Sequence, residues 1–180
     1  VYGLLPHEEI EKTQQHLYER GANVKRIYSS EAYNNLDIYQ VNCTYYSALG
    51  DDDRAYLVAR AVQFFSPGTP QVYYVGMLAG RNDLKLLEET REGRNINRHY
   101  YSLEEIEEEQ KRPVVQALKL LMELRTSHPA FTGSFVLEES EDDATICLSW
   151  ETENTKLTLH ADFPSRSLSI EEHGKSIMKL

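Results

Sequence analysis

Two stretches of the 180-residue chain hold residue types that could do chemistry on a polar ring. In Asn35-Leu36-Asp37-Ile38-Tyr39-Gln40-Val41-Asn42, apolar Leu36, Ile38 and Val41 alternate with Asp37, Tyr39 and Gln40. A carboxylate, a phenol and an amide presented on one side can accept and donate hydrogen bonds to several hydroxyls. Taken alone, the alternation fits an edge strand with a solvated face better. Gly93-Arg94-Asn95-Ile96-Asn97-Arg98-His99-Tyr100-Tyr101 sets two arginines, two asparagines, a histidine and two tyrosines side by side. An arginine there could clamp a carboxylate or phosphate through its paired donors, and a surface loop whose asparagines serve turns explains the stretch equally well. Ten of the twelve tyrosines fall between Tyr28 and Tyr101. Tyrosine joins a flat apolar face to a hydroxyl and suits a sugar ring, although filling an α/β core accounts for the count more simply.

Other chemistries find little support. The acidic runs Glu104 to Glu109 and Glu138 to Asp143 lack the interleaved glycine of a calcium loop and read as solvated faces. His7, His16, His128, His160 and His173 are scattered without ligand spacing, so no metal site is expected. No phosphate-cradling glycine loop and no Gly-x-Ser-x-Gly elbow occurs. Nineteen basic against 29 acidic residues leave a formal charge of −10, which repels nucleic acid and anionic lipid. No apolar run approaches the roughly 20 residues that cross a bilayer. Cys43 and Cys147 stand far apart and suit a reducing compartment, with a single disulfide left open.

The elements that must position these stretches can be read in order. A helix is expected from Pro6-His7-Glu8-Glu9-Ile10 to about Arg20, stopped by Gly21. Residues 22–50 lack clean periodicity and read as a functional loop or small excursion. Asp51-Asp52-Asp53 caps a strongly apolar helix from Arg54 to about Phe65, broken by Ser66-Pro67-Gly68-Thr69-Pro70. Val72-Tyr73-Tyr74-Val75 reads as a strand buried on both faces of a parallel sheet, which makes an α/β unit. Ser102-Leu103-Glu104-Glu105 has the capping-box pattern, and Val114, Ala117, Leu118, Leu121 and Leu124 mark an amphipathic helix from Pro113 to near His128-Pro129. Beyond Gly133, Phe135–Leu137, Thr145–Trp150 and Lys156–His160 alternate as three antiparallel strands.

Certain stretches carry a family resemblance. Phe64-Phe65-Ser66-Pro67-Gly68-Thr69-Pro70-Gln71-Val72-Tyr73-Tyr74-Val75-Gly76 resembles the approach to the eighth barrel strand in the alpha-amylase superfamily of glycoside hydrolases. Leu124-Arg125-Thr126-Ser127-His128-Pro129-Ala130-Phe131 resembles the end of that barrel's last helix. Within the superfamily, the stretch from Leu36 to Leu49 and the stretch from Gly93 to Tyr101 are similar to the sucrose phosphorylases. The likeness runs over most of residues 30–131 and weakens in the terminal β region.

The resemblance implies an α/β fold, the C-terminal part of a (β/α)8 barrel followed by a small antiparallel β domain. Residues 1–50 would be an acceptor-loop excursion after barrel strand seven, 51–131 the last helix-strand-helix of the barrel, and 132–180 the β domain. Such a barrel needs roughly 250 residues, so the family's nucleophilic aspartate, acid/base glutamate and supporting His-Asp pair would precede Val1. No catalytic residue is then expected within this chain, and the chain alone is expected to be inactive. The implied reaction is retaining phosphorolysis of sucrose to glucose 1-phosphate and fructose, with no metal or organic cofactor. Asp37, Tyr39 and Gln40 match the loop that handles fructose and phosphate, and Arg94 matches the arginine that holds the glucosyl ring. Asn95 and His99 fall in supporting positions. A cytoplasmic setting follows from the resemblance, and a homodimer of the full-length enzyme is left open. The alternatives are a sister phosphorylase acting on phosphorylated sucrose or glucosylglycerate, and a non-catalytic carbohydrate-binding module.

Overall fold

A computed structural model describes residues 3–24, 41–140 and 142–179. The first helix, α1 (His7–Glu19), carries Glu8 and Glu9 in its first turn, where the helix dipole favours acid. It ends where Gly21 takes φ +80°, and the amides of Gly21 and Ala22 turn back onto Tyr18 and Leu17 carbonyls. That reversal needs a left-handed residue, which glycine adopts without strain. Strand β1 (Asn23–Val24) pairs antiparallel with β2 (Val41–Asn42), and a single turn, α2 (Tyr45–Ala48), follows.

Helix α3 (Asp53–Phe65) is capped by Asp52, whose carboxylate accepts the Ala55 amide at 2.7 Å. Its Tyr56, Leu57, Val58, Ala61, Phe64 and Phe65 are all buried. So many positions are buried because α3 packs against α7 (Pro113–Ser127) and also against strands of the C-terminal sheet. Val114, Val115, Leu118 and Leu121 line α7 toward it, and the three elements share one apolar core.

Five strands form an antiparallel meander: β3 (Ser134–Glu138), β4 (Thr145–Glu151), β5 (Lys156–Asp162), β6 (Ser167–Glu172) and β7 (Lys175–Lys179). The register places Leu148 opposite Leu159 and Leu159 opposite Ile170, so one face presents a continuous apolar row to α3. Sequence alternation anticipates the first three strands; the last two were not anticipated. Their signal is present in Leu168 and Ile170, and in His173-Gly174, both with positive φ, which closes a two-residue hairpin.

The strand expected at Val72–Val75 is not formed. The chain instead makes one helical turn, α4 (Tyr74–Met77), with Tyr73 54% and Tyr74 39% exposed. A parallel-sheet strand needs neighbours on both edges, and among the described residues no parallel strand offers them. Local bonds take over: the Met77 amide donates to the Tyr73 carbonyl and the Gly80 amide to the Val75 carbonyl. Helices α5 (Leu84–Thr90) and α6 (Leu103–Glu109) flank a 3-10 turn at Gly93–Asn97. The capping box at Ser102 and Glu105 is present as expected.

Both stretches that resemble the barrel end meet in an aromatic cluster. Trp150 Nε1 donates to the Phe65 carbonyl at 2.7 Å, and Phe131 packs edge-on to Phe65 and Trp150. Arg125 lies over the Phe131 and Trp150 rings and donates to the Gly68 carbonyl at 2.8 Å, which pins the turn after α3. At the sheet's entry, Gly133 leaves no room: a Cβ there would lie 1.9 Å from the Glu151 carbonyl oxygen. Gly133→Ala is therefore expected to cost about 1–3 kcal/mol through forced backbone shifts. A thermal melt identical to the unsubstituted chain would contradict this close approach.

Candidate functional site

The Arg94-bearing turn is built by its neighbours rather than by its own sequence. Ile96, fully buried, anchors it, while Arg94 itself is exposed on the 3-10 turn. Gly93 sits against Asn42 at the end of β2, so closely that a Cβ would lie 3.0 Å from the Asn42 amide nitrogen. Asn95 donates to Thr90 Oγ1 at 2.9 Å and thereby joins the turn to the end of α5. Among the described residues Arg94 takes no ion-pair partner, which leaves its guanidinium fork open.

Asp37, Tyr39 and Gln40 lie outside the described residues. The flanking chain is described: Val24 pairs with Val41 and Asn23 with Asn42, so both ends of the 25–40 segment are held side by side. Because β2 also borders the 3-10 turn, the residue pair following Gln40 lies next to the turn carrying Arg94.

Two adjacent polar residues, Asn82 and Asp83, organise this region. Asn82 Oδ1 accepts the Thr44 amide at 2.7 Å, while Nδ2 reaches the Gly21 carbonyl at 3.4 Å and Cys43 Sγ at 3.4 Å. Asp83 caps α5 through the Leu86 amide at 2.8 Å and binds His99 Nδ1 at 2.6 Å with its other oxygen. Its own amide donates to the Ile96 carbonyl at 2.7 Å. The findable signal was local: an Asp directly before Leu84-Lys85-Leu86-Leu87 is an N-cap.

His99 bridges two acids, with Nε2 3.5 Å from Glu105 in the α6 capping box. Partial burial works to lower its pKa, but the hydrogen bonds and charges of Asp83 and Glu105 prevail and raise it. For Asp83, burial works upward, yet the Leu86 amide and His99 hold it below the usual carboxylate range. Tyr101, edge-on to the His99 ring, is pushed up to about 12 by burial and then by the Glu109 carboxylate.

The tyrosines divide by role. Tyr46 and Tyr56 fill the core, and Tyr56 Oη donates to the Gly76 carbonyl at 2.5 Å. Tyr74 donates to the His99 carbonyl at 3.0 Å and, with Met77, Tyr100, Tyr101, Ile106 and Met122, lines an open apolar groove of about 810 Å³. A second, polar hollow of about 620 Å³ borders Asn82, Asp83, Lys85, His99, Tyr101 and Arg112. Among the described residues no group of three or more His, Cys, Asp or Glu is placed to hold a metal ion, and no helix is long and apolar enough to cross a membrane.

The structure thus presents an exposed arginine on a short polar turn beside the β1–β2 pair, and comparison with known proteins gives the class. No protein-family model matches the chain. It is 60% identical over 149 residues to sucrose phosphorylase of Streptococcus mutans, across 82% of this chain and 31% of that protein. It is 47% identical over 169 residues to sucrose phosphorylase of Bifidobacterium adolescentis, across 94% and 33%. The crystal structure of sucrose 6F-phosphate phosphorylase from Thermoanaerobacter thermosaccharolyticum superposes with a TM-score of 0.86 at 42% identity, across 99% of this chain and 37% of that one. These relatives are all glycosidic phosphorylases by name. Within that class, the chain belongs with the sucrose phosphorylases as a homologue of their C-terminal portion. It spans about a third of the length of the curated relatives it matches.

The Asp83–His99 pair has a signed pH dependence. His99, with its raised pKa, contributes stability fully below its ordinary value of about 6.5, lost as pH rises through the raised one. Asp83, held low, contributes above about 3.9, lost as pH falls through the lowered one. The difference in melting temperature between the 180-residue chain and its His99→Gln variant is therefore expected to be largest from about pH 4 to 6.5 and to narrow at alkaline pH. A difference constant with pH would show that this pair is not ionised.

Proposed function

We propose that these residues are the acceptor-side and C-terminal part of a retaining phosphorylase that converts sucrose and phosphate into glucose 1-phosphate and fructose. The observation that carries this reading is 60% identity to the Streptococcus mutans sucrose phosphorylase over 149 residues. In this reading residues 1–50 form the excursion after barrel strand seven, 51–131 the closing part of a (β/α)8 barrel, and 132–180 the β domain. The proposed compartment is the cytoplasm, which the free thiols Cys43 and Cys147 suit.

The chemistry is double displacement. A carboxylate nucleophile attacks the anomeric carbon of the glucosyl unit as a carboxylic acid protonates the departing fructose oxygen. Phosphate then attacks the same carbon, displaces the carboxylate and leaves as glucose 1-phosphate. No residue of this chain matches those two carboxyl groups, so the 180 residues alone turn over no sucrose. Their part is binding. Arg94 directs its planar fork at adjacent hydroxyls of the glucosyl ring. Asp37 and Gln40 accept and donate hydrogen bonds to fructose. An ionised Asp37 opposes a phosphate dianion, so this stretch must rearrange between the half-reactions. Tyr39 donates its hydroxyl to phosphate without that penalty.

A second reading, phosphorolysis of sucrose 6F-phosphate, is favoured by the structural neighbour at a TM-score of 0.86. Fusing the chain to the preceding two thirds of the Streptococcus mutans relative separates the two. Release of glucose 1-phosphate from sucrose supports the first reading; turnover of the phosphorylated sugar alone would replace it with the second. Sugar binding by the isolated chain, with no turnover by the fusion, would favour a carbohydrate-binding module. In an active fusion, Arg94→Gln is expected to lower kcat/KM for sucrose by about 10²-fold. Asp37→Ala is expected to weaken fructose handling while glucosyl transfer is less affected; equal loss in both half-reactions would remove that assignment.

A further inference from the structure

The Arg94 turn contains little to hold itself in place. Gly93, Asn95 and Asn97 are poor formers of regular structure, and the 3-10 turn has no side-chain cap of its own. Its position is set from the dipeptide Asn82-Asp83. Asp83 grips the turn from both sides of its core: the amide holds the Ile96 carbonyl at 2.7 Å, and the carboxylate holds His99 at 2.6 Å. Its second carboxylate oxygen is tied to the Leu86 amide, so Asp83 cannot swing away without uncapping α5. Asn82 fixes the surface on which Gly93 rests. Its amide oxygen takes the Thr44 amide just beyond β2, its amide nitrogen reaches the Gly21 carbonyl just before β1, and its backbone amide donates to Ser47 Oγ at 3.0 Å.

The residue types are the ones this task requires. Only an amide offers an acceptor to Thr44 and a donor to Gly21 from one rigid plane. An aspartate at that position would turn an oxygen toward the Gly21 carbonyl. Asp83 must cap a helix and ion-pair with an imidazole at the same moment, and a charged two-oxygen acceptor does both.

We propose that Asn82 and Asp83 are positioning residues for Arg94: Asp83, acting through His99 and Ile96, sets the aim of the guanidinium, and Asn82 sets the register of the turn against the β1–β2 pair. This rests on the reading of Arg94 as the glucosyl-holding residue. The groups around His99 are Asp83 from the α5 cap, Glu105 and Glu109 from α6, Tyr74 from α4, Tyr101 and Arg112. Of these, Asp83 makes the short contact, so it carries the coupling.

The test uses the sucrose-active fusion and two substitutions that spare the cap. Asp83→Ser keeps an N-cap oxygen for Leu86 but cannot also reach His99. It is expected to lower kcat/KM for sucrose about tenfold when Arg94 is present, and less than about twofold in the Arg94→Gln background, as coupled residues behave. Asn82→Asp should show the same dependence on Arg94. Equal losses in both backgrounds would mean that the dipeptide only supports the fold, and would overturn the proposal. In the 180-residue chain, independent of any activity, Asp83→Ser is expected to speed amide exchange at residues 95–99, and Asn82→Ala, which removes the acceptor of the Thr44 amide, to speed it at Thr44. Unchanged exchange at those amides would overturn it as well. A well-folded fusion that leaves sucrose intact would instead defeat the functional reading itself, and this assignment with it.

Discussion

The core of the described residues is arranged around a helix, α3, most of whose apolar side chains cannot face water. The buried side chains of α3 project both toward α7 and toward the antiparallel sheet, so the helix is sandwiched and the two layers cannot separate without exposing it. Burial of side chains such as Phe65 and Leu159 favours that sandwich by roughly 1.5–3 kcal/mol each. Polar residues share the interior too, Ser149 and Arg60 among them. Arg60, 5% exposed, lies over the Tyr45 and Tyr56 rings and donates to Tyr56 Oη and Gln63 Oε1. No carboxylate among the described residues pairs with it, so ring faces and neutral acceptors satisfy this cation. Tyr56 in turn donates to the Gly76 carbonyl, which carries the order of α3 into α4.

The candidate site stands outside that core and obeys different physics. It is held by directional bonds, many among partly exposed groups, with Ile96, Thr44 and Ser47 as buried members. Such a network gives precise placement at small net stability, because each bond replaces one to water. That suits a surface turn whose exposed Arg94 has no ion-pair partner among the described residues. It also explains why the supporting groups are an asparagine, an aspartate and a histidine rather than apolar side chains.

How much of this the residues announce depends on the range of the interaction. Helices α1, α3 and α7 and the capping box at Ser102 rest on bonds and periodicities within a few positions, and the residues forecast them closely. Strands β6 and β7 carry the same local alternation and a His-Gly turn; reading three strands instead of five passed over a legible signal. Val72–Val75 failed for a different reason. Its apolar, β-branched and aromatic character signals a wish for burial, but a strand exists only if other strands satisfy its backbone, and a one-turn helix satisfied it instead. Arg94 stands in a stretch whose residue types draw attention, whereas Asn82 looked like one more loop asparagine.

By itself, then, the sequence determined helices α1, α3 and α7, the antiparallel alternation and the family to which the chain belongs, since each is written in neighbouring residues or in motif spacing. The tertiary structure alone decided which asparagine and which aspartate organise the site. Asn82 meets Gly21 across 61 positions and Thr44 across 38, and Trp150 meets Phe65 across 85. No local pattern encodes such partners, because a hydrogen bond between distant residues exists only after the core has brought their backbones together.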